Sequence, residues 1–379
     1  MRKCKLSECV KEINDRTIEN NQYEVLTSSK SGIFSQEEYF DKQVASKDNT
    51  GYKIIKNGQF TYRSMSDSGT FTINRLEDKE IGIVSPAYPV FEAINIDAEF
   101  LKYYFKSELF NKAIINLSQG STRTALKFKD LIDIEIYLPE IEEQKRIVKI
   151  LKNNDQIIEK YDELIKEKEQ FIKSQFVGMF GDLSSNSKEY EVVKLSDIAK
   201  YWNGLTYSPT NISENGTIVL RSSNIKNNKL DFKDIVKVNC DIKDKNVVKE
   251  NDILMCSRNG SANLVGKVAM IESFTEPMCF GAFMMIIRSK YFKYLFYYFQ
   301  NDAFRKNISL ETTTQINQIT ANMLDKIRIP LPSDDEIETY GKIVELIDKQ
   351  KFELEKQKQN YIDLKKGLMQ QLLTGKLKV

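Results

Sequence analysis

Two stretches of the chain repeat apolar residues every seven positions. In the first, over residues 139–181, one row is Ile150, Ile157, Leu164 and Phe171, and the adjacent row is Leu151, Ile158, Ile165 and Ile172. The second follows the sequence IPLP at residues 329–332 and continues through Ile347, Leu354, Tyr361 and Leu368. A seven-residue repeat predicts a long helix with one apolar seam that packs on a partner helix. The alternative is a solvated helix on a globular core, but two matched helices in one chain favour mutual packing.

Both predicted helices begin in the same way. Each follows an apolar run that ends in proline, and each has an acidic first turn, at residues 140–144 and 333–336, which suits the positive end of a helix dipole. Ser333 and Glu336 have the spacing of a capping box. Polar residues interrupt the seams at Asn154, Lys168, Gln350 and Gln357. Such residues weaken a coiled coil but fix its register.

The chain contains a weak internal repeat of roughly 190 residues. Four pairs of segments match in order: residues 5–8 with 194–197, 54–60 with 247–253, 100–105 with 294–299, and 131–139 with 324–332. In each copy, the last of the four matched segments leads into a predicted long helix. We therefore expect two copies of one unit whose detailed roles differ.

Within each half, short strand-like runs alternate with loops rich in Ser, Asn, Thr and Gly. The clearest runs cover residues 81–84, 217–220 and 265–271. One aromatic-rich helix is predicted in each half, over about 97–117 and 290–308. Its aromatic stripe is interpreted as core rather than as a platform for stacking bases. The predicted fold class is α/β, with globular domains at 1–138 and 184–332 and helices at 139–183 and 333–379.

Composition narrows the possible chemistry. The net charge is only +2, but residues 184–332 carry 20 basic against 15 acidic residues. Histidine is absent, which excludes a Ser-His-Asp triad and a Cys-His pair, and no Walker A or GxGxxG motif occurs. The five cysteines lack metal-binding spacing and are interpreted as buried free thiols in a reducing cytoplasm. We expect no membrane segment, since no apolar run is long enough.

The ordered, duplicated motifs resemble the specificity (S) subunit of type I restriction-modification systems along essentially the whole chain. The likeness rests on LP with IEEQ at residues 138–144, on YKIIKNG at 52–58, on KLSDI at 194–198, and on the Leu-Leu-Thr-Gly-Lys-Leu run within 368–377. One departure is Asp335-Glu336-Ile337 at the distal helix, where the central helix has Glu-Glu-Gln. Identical contacts at the two helix starts are therefore not expected.

The resemblance implies two target recognition domains and two long helices that pair as an antiparallel coiled coil with pseudo-twofold symmetry. It implies a non-catalytic subunit that reads a split, asymmetric target in double-stranded DNA. Two methylation subunits and two restriction subunits would be its partners. No cofactor is expected in this chain: S-adenosylmethionine would belong to the methylation subunit, which modifies adenine N6, and ATP with Mg²⁺ to the restriction subunit.

Base edges are read by side chains with matching hydrogen-bond groups, such as Arg for guanine and Asn or Gln for adenine. Loops that carry such groups give the candidate DNA-binding residues, although each position is also compatible with a solvated loop or a turn cap. Lysines such as Lys30 suit phosphate contacts better. The candidates are Lys30, Arg63, Ser64, Ser121, Thr122 and Arg123 in the first half, and Asn203, Arg221, Asn224, Arg258, Asn259, Gln315 and Asn317 in the second.

Two alternatives belong to other functional classes. The sequence SPAY at residues 85–88 resembles the loop that holds the target amine in amino-methyltransferases, but its second proline is alanine and no glycine-rich donor site precedes it. A tight turn is the better interpretation. A methyltransferase fragment or a degenerate methyltransferase is still an alternative, and a coiled-coil adaptor without a DNA role is another.

Overall fold

The computed structural model describes residues 2–40, 47–66, 69–117, 124–310 and 317–379. Its contacts divide the chain into two compact units. The first unit comprises Met1–Glu163 with Leu354–Val379, and the second comprises Leu164–Glu353. Each long helix therefore contributes one half to each unit. Along the described residues, no helix combines the length and the apolar character needed to cross a membrane.

The first unit is a mixed α/β structure. Its strands are β1 (Arg2–Lys5), β2 (Val10–Ile13), β3 (Leu26–Ser29), β4 (Gly32–Ser35), β5 (Lys53–Lys56), β6 (Phe60–Thr61), β7 (Met65–Ser66), β8 (Asn74–Arg75), β9 (Ile81–Val84), β10 (Val90–Ala93), β11 (Thr124–Ala125) and β12 (Glu135–Leu138). Its helices are α1 (Gln36–Phe40), α2 (Ala98–Phe105), α3 (Glu108–Leu117), α4 (Phe128–Ile132) and the first half of α5 (Ile141–Phe180). The largest sheet has the order β2-β10-β6-β8.

The second unit has the same kind of architecture. Its strands are β13 (Glu191–Lys194), β14 (Lys200–Asn203), β15 (Ile212–Leu220), β16 (Ile225–Lys226), β17 (Lys229–Leu230), β18 (Val236–Val238), β19 (Ile253–Cys256), β20 (Val268–Met270), β21 (Met278–Phe280), β22 (Met284–Arg288) and β23 (Arg328–Leu331). Its helices are α6 (Leu195–Ile198), α7 (Phe292–Tyr298), α8 (Asp302–Leu310), α9 (Ala321–Lys326) and part of α10 (Asp334–Leu373). One of its sheets has the order β14-β22-β19-β20.

The predicted internal repeat is confirmed at the level of hydrogen bonds. Strand β1 pairs antiparallel with β12, and β13 pairs antiparallel with β23, so that each half is closed by a strand just before its long helix. The matched segments at 54–60 and 247–253 form the same turn. Gly58 and Asn251 both adopt positive φ, +85° and +68°, which glycine and asparagine tolerate best. The side chains of Gln59 and Asp252 both accept a backbone N–H three residues earlier.

The two long helices pack against each other, as predicted, and run in opposite directions. In the first unit, Tyr161 donates to Gln357 over 3.1 Å, and Asp155, earlier in α5, pairs with Lys365, later in α10. In the second unit, Ile172, Phe176 and Phe180 share a core with the N-terminal half of α10. The predicted capping box is also present, because Glu336 N–H donates to Ser333 Oγ and Ser333 N–H donates to the Glu336 carboxylate.

The two predicted apolar rows of α5 are buried unequally, since Ile150 and Ile157 of the first row are half-buried but its later members are exposed. Leu151 and Ile172 are buried and Ile158 and Ile165 are half-buried, whereas Leu164 and Phe171 in the other row are 42% and 45% exposed. Adjacent residues are about 100° apart on a helix, so the two rows cannot both face one partner. Gln350, predicted in the seam, is also exposed. Lys351 is buried in its place and pairs with Glu169.

The aromatic stripes are core residues, as predicted. Phe100, Tyr104 and Phe105 are at most 5% exposed, and Tyr294 and Tyr298 are fully buried. The single aromatic helix predicted in each half is wrong, however, since each is broken into two helices. In the first unit, Ser107 ends α2 and starts α3, because its hydroxyl donates to Tyr104 O and accepts from Phe110 N–H. In the second unit, Asn301 separates α7 from α8, because its side-chain Oδ1 accepts a hydrogen bond from Ala303 N–H.

The structure also tests the predictions for the SPAY segment and for the cysteines. The SPAY segment is a tight turn, in which Tyr88 N–H donates to Ser85 O over 2.9 Å. All five cysteines are free thiols, and four are buried, while Cys240 is half-buried.

Candidate nucleic-acid interface

The first unit has a polar groove with a volume of about 780 Å³. It lies beside the β3–β4 hairpin, whose turn carries the exposed Lys30, and beside Arg63, which follows β6 and is also exposed. Both residues are among the sequence-predicted candidates. The other lining residues are mainly hydroxyl-bearing, with one carboxamide, and they are Thr27, Ser28, Ser29, Gln36, Tyr39, Met65, Ser66, Thr70, Phe71, Thr72 and Tyr88.

The walls of this groove are fixed by local hydrogen bonds. Asn74 on β8 donates its side-chain N–H to Ser28 Oγ and to Ser29 O, each over 2.8 Å, so that β8 holds the end of β3. The turn that carries Lys30 is further closed by a contact between the Ser29 and Ser31 hydroxyls. The groove is therefore built on paired strands rather than on a single loop.

The loop after β6 has an equivalent in the second unit, after β19. Leu126 N–H donates to Ser64 O, and Ile319 N–H donates to Ser257 O, at one constant sequence offset. The next residues pair in the same register, Met65 with Ala125 and Arg258 with Gln318. Ser64 is therefore held in place by its backbone.

The candidates Ser121, Thr122 and Arg123, and Gln315 in the second half, lie outside the described residues.

Four of the second-half candidates converge around the loop after β19. Asn203 donates its side-chain N–H to Ser257 Oγ over 2.9 Å. Asn259 N–H donates to Asn317 O over 3.4 Å, and the Asn259 side chain donates to a serine in the neighbouring turn. Arg258, the fourth candidate, directly precedes Asn259 in the chain. These contacts give the second unit a cluster of polar loop residues, of which Asn203, Arg258 and Asn317 are exposed.

Arg258 is the most prominent charge of this cluster. Its guanidinium lies 5.4 Å from the ring centroid of Phe283, which is itself 60% exposed. A cation over an aromatic face is held in a defined direction while its donors stay available. Beneath it, the Cys256 thiol contacts Arg258 O at 3.7 Å, and burial raises the pKa of this thiol, which stays protonated at neutral pH.

Two predicted readers, Arg221 and Asn224, make hydrogen bonds within a local turn. Asn224 is fully buried, its Oδ1 accepts from Arg221 N–H, and its Nδ2 donates to the carbonyls of Asp231 and Asp234. Arg221 Nη2 donates to the Asp234 carboxylate over 2.9 Å. This sequence, RSSN, therefore forms a 3-10 turn that the Asn224 carboxamide closes, with Arg221 paired to Asp234. A DNA contact of Arg221 stays a prediction. The Asn203 side-chain N–H is likewise used internally.

Sequence reasoning missed Gln36 and Phe283. Gln36 begins the short helix α1 and was hidden among polar loop residues, and Phe283 lies within the apolar sequence GAFMM, which is typical of a buried strand. No local signal marks either residue, since the groove beside Gln36 and the cation over Phe283 come from segments distant in the sequence. No cluster of three or more possible metal ligands occurs in the described part of the chain.

A family model for the type I restriction modification DNA specificity domain matches the chain twice, over residues 12–170 and 187–364. The two matches cover most of the chain and coincide with the two copies of the internal repeat. The chain belongs to the type I restriction-modification DNA specificity family. This confirms the resemblance drawn from the duplicated motifs.

Individual proteins that this chain resembles include specificity subunits of type I restriction enzymes. The type I restriction enzyme MjaVIII specificity subunit of Methanocaldococcus jannaschii is 26% identical over 318 residues, which are 79% of this chain and 75% of the relative. The StySPI specificity subunit of Salmonella potsdam is 34% identical over 125 residues, 30% of this chain and 26% of the relative. A solved structure described as the basis of complex assembly and conformational transition of the type I R-M system aligns over 99% of this chain and 98% of its own, with a TM-score of 0.61 and 16% identity.

Proposed function

We propose that this chain is the DNA-reading and scaffold subunit of a type I restriction-modification complex, and that each unit reads one half of an asymmetric, interrupted target. The observation that carries the proposal is the duplicated loop after β6 and β19, held by the same backbone hydrogen bonds but furnished with different side chains. Two unlike readers in one chain favour two unlike half-sites.

The partners and cofactors follow from the family. Two methylation subunits, which use S-adenosylmethionine to methylate adenine N6, and two restriction subunits, which use ATP and Mg²⁺, would assemble on this chain. The chain itself would bind no cofactor and catalyse no reaction. Its basic second half suits a polyanionic ligand.

Methylome sequencing tests this proposal. A host that expresses the chain with its methylation subunits should carry one methylated, two-part, asymmetric motif, and omission of the chain should remove it. The isolated chain should not bind S-adenosylmethionine, and its binding to duplex DNA should weaken steeply as salt is raised. Binding of S-adenosylmethionine by the chain alone would favour the methyltransferase alternative. The absence of any salt-dependent DNA binding would favour the adaptor alternative.

The paired helices are proposed to set the spacer between the half-sites. Each helix has 40 residues and is about 60 Å long at about 1.5 Å per residue. One heptad inserted into each helix at the Asp162–Lys358 ion pair keeps the seam in register and adds about 10 Å. The spacer should then lengthen by about three base pairs, at about 3.4 Å each, with both half-sites unchanged. An unchanged spacer would contradict this role of the helices.

A further inference from the structure

The groove of the first unit has the chemistry of an anion site. Among the described residues that line it, none is acidic, and two, Lys30 and Arg63, are cationic. Neither side chain makes a hydrogen bond or an ion pair with another described residue. Two cations without an ion pair on one groove form a local positive surface.

A third polar group in the groove is also unused. The Gln36 side-chain Oε1 is shielded from solvent and has no hydrogen-bond partner among the described residues. A shielded polar atom without a partner is costly, so a residue of this kind points to a ligand that completes its surroundings. The acidic residues that follow it, Glu37 and Glu38, are exposed and do not line the groove.

The shape of the site decides which part of DNA it fits. Base edges lie at the floor of DNA grooves, so they are read by protein elements that protrude. The sugar-phosphate strand is the convex, anionic ridge of the duplex, and it fits a concave surface lined by hydroxyls and cations. The groove of the first unit is concave, whereas the Arg258–Phe283 pair of the second unit is exposed on a loop.

On this basis we propose that the groove binds one sugar-phosphate strand of duplex DNA. Lys30 and Arg63 contact its phosphates, and the Gln36 carboxamide, turned over so that its NH2 group takes the place of the unpartnered Oε1, donates to the same strand. The proposal rests on the proposed function and refines it. It assigns Arg63 to positioning of the DNA, although the sequence pattern alone favoured a guanine reader.

Salt titration of DNA binding tests the proposal with the full-length chain. The probes are two fluorescent duplexes of equal length, one with the methylome-derived motif and one without it, in 50 to 200 mM salt. Arg63→Ala and Lys30→Ala should each weaken both duplexes by the same factor. Each should also reduce the slope of log affinity against log salt by about 0.9, which is about a 3.5-fold smaller loss of affinity across that range. Lys3→Ala, which removes a lysine paired with Glu135 in the β1–β12 sheet, is the matched control and should leave the slope unchanged.

Gln36 supplies a second, isosteric test. Gln36→Glu places a carboxylate in the groove without changing its shape, and it should weaken both duplexes more than Gln36→Ala does. If Arg63→Ala instead keeps wild-type affinity for the duplex without the motif and loses discrimination at one half-site, the phosphate assignment is wrong while the proposed function stands. If the wild-type chain binds neither duplex, the proposed function itself fails.

Discussion

Met65 in the first unit and Arg258 in the second occupy the same position of the repeat. Each follows a serine whose carbonyl accepts an equivalent backbone N–H, and each pairs with a residue in the same register. The side chains nevertheless differ completely: Met65 lies on a hydroxyl-lined groove, and Arg258 lies over an exposed phenylalanine. The comparison shows that the backbone of the repeat is retained while the chemistry presented by its loops is free to vary.

The long-helix seam differs between the units in a similar way. In the first unit, buried aliphatic residues such as Ile147 and Leu372 are accompanied by polar groups, namely the buried Asn154 and the Tyr161–Gln357 hydrogen bond. In the second unit it is aromatic, and Phe176 and Phe180 pack on Tyr340 with ring centroids 5.5 and 5.2 Å apart. The second unit should therefore depend more strongly on aromatic packing between the helices, and the first on aliphatic burial together with polar contacts.

The largest expected effect comes from the aromatic seam. Tyr340 is fully buried, and Tyr340→Ala should cost about 3–5 kcal/mol because it leaves a cavity between α5 and α10. Ile147 occupies the equivalent place after Pro139 and is also fully buried, and Ile147→Ala should cost about 2–5 kcal/mol. Urea unfolding measures both, with the exposed Leu346→Ala as the control. A Tyr340→Ala cost no larger than that of the control would remove the distinction between the seams.

The seam of the first unit makes the opposite prediction at Asn154. Its Oδ1 is buried without a partner among the described residues, and the equivalent residue in the second unit is Ile347. Asn154→Ile should therefore stabilise the chain by about 1–3 kcal/mol in the same assay, because an unsatisfied polar atom is replaced by apolar surface. We expect the gain to come with a looser choice of helix register, since buried polar residues specify register. Lower stability in the variant would show that the Asn154 carboxamide contributes favourably.

The smallest expected effect concerns an ion pair whose acidic and basic residues exchange places between the two units. In the first unit Glu99 on α2 lies 3.2 Å from Lys152 on α5, and in the second unit Lys293 on α7 pairs with Glu345 on α10 at the equivalent positions. Glu99→Lys should cost about 1 kcal/mol through like-charge contact. The double variant with Lys152→Glu should recover part of that loss, although Arg75 also bonds Glu99. A double-mutant cycle with no coupling would show that the pair is only a surface contact.

Periodic and duplicated features of this chain are well predicted by its sequence. The heptads, the Ser333 cap and the turn shared by residues 54–60 and 247–253 depend on neighbours within a few residues, so their patterns are local. The choice between the two apolar rows of α5, which buries Ile172 and exposes Phe171, depends on the position of the partner helix. Asn224 and Arg258 were both predicted to read bases. Their contacts in the folded chain distinguish them, because Asn224 closes a turn by bonding Asp234, whereas Arg258 is an exposed cation over Phe283.

The central claim, that each unit reads its own half of one target, is tested most directly at Arg258. Methylome sequencing should compare hosts that carry the wild-type chain and the Arg258→Ala variant with the same methylation subunits. We expect the variant to relax one base-pair position in one half-site, at a cost of about 1–3 kcal/mol in discrimination, and to leave the other half-site and the spacer unchanged. Relaxation of both half-sites together, or an unchanged motif with uniformly weaker methylation, would contradict the claim.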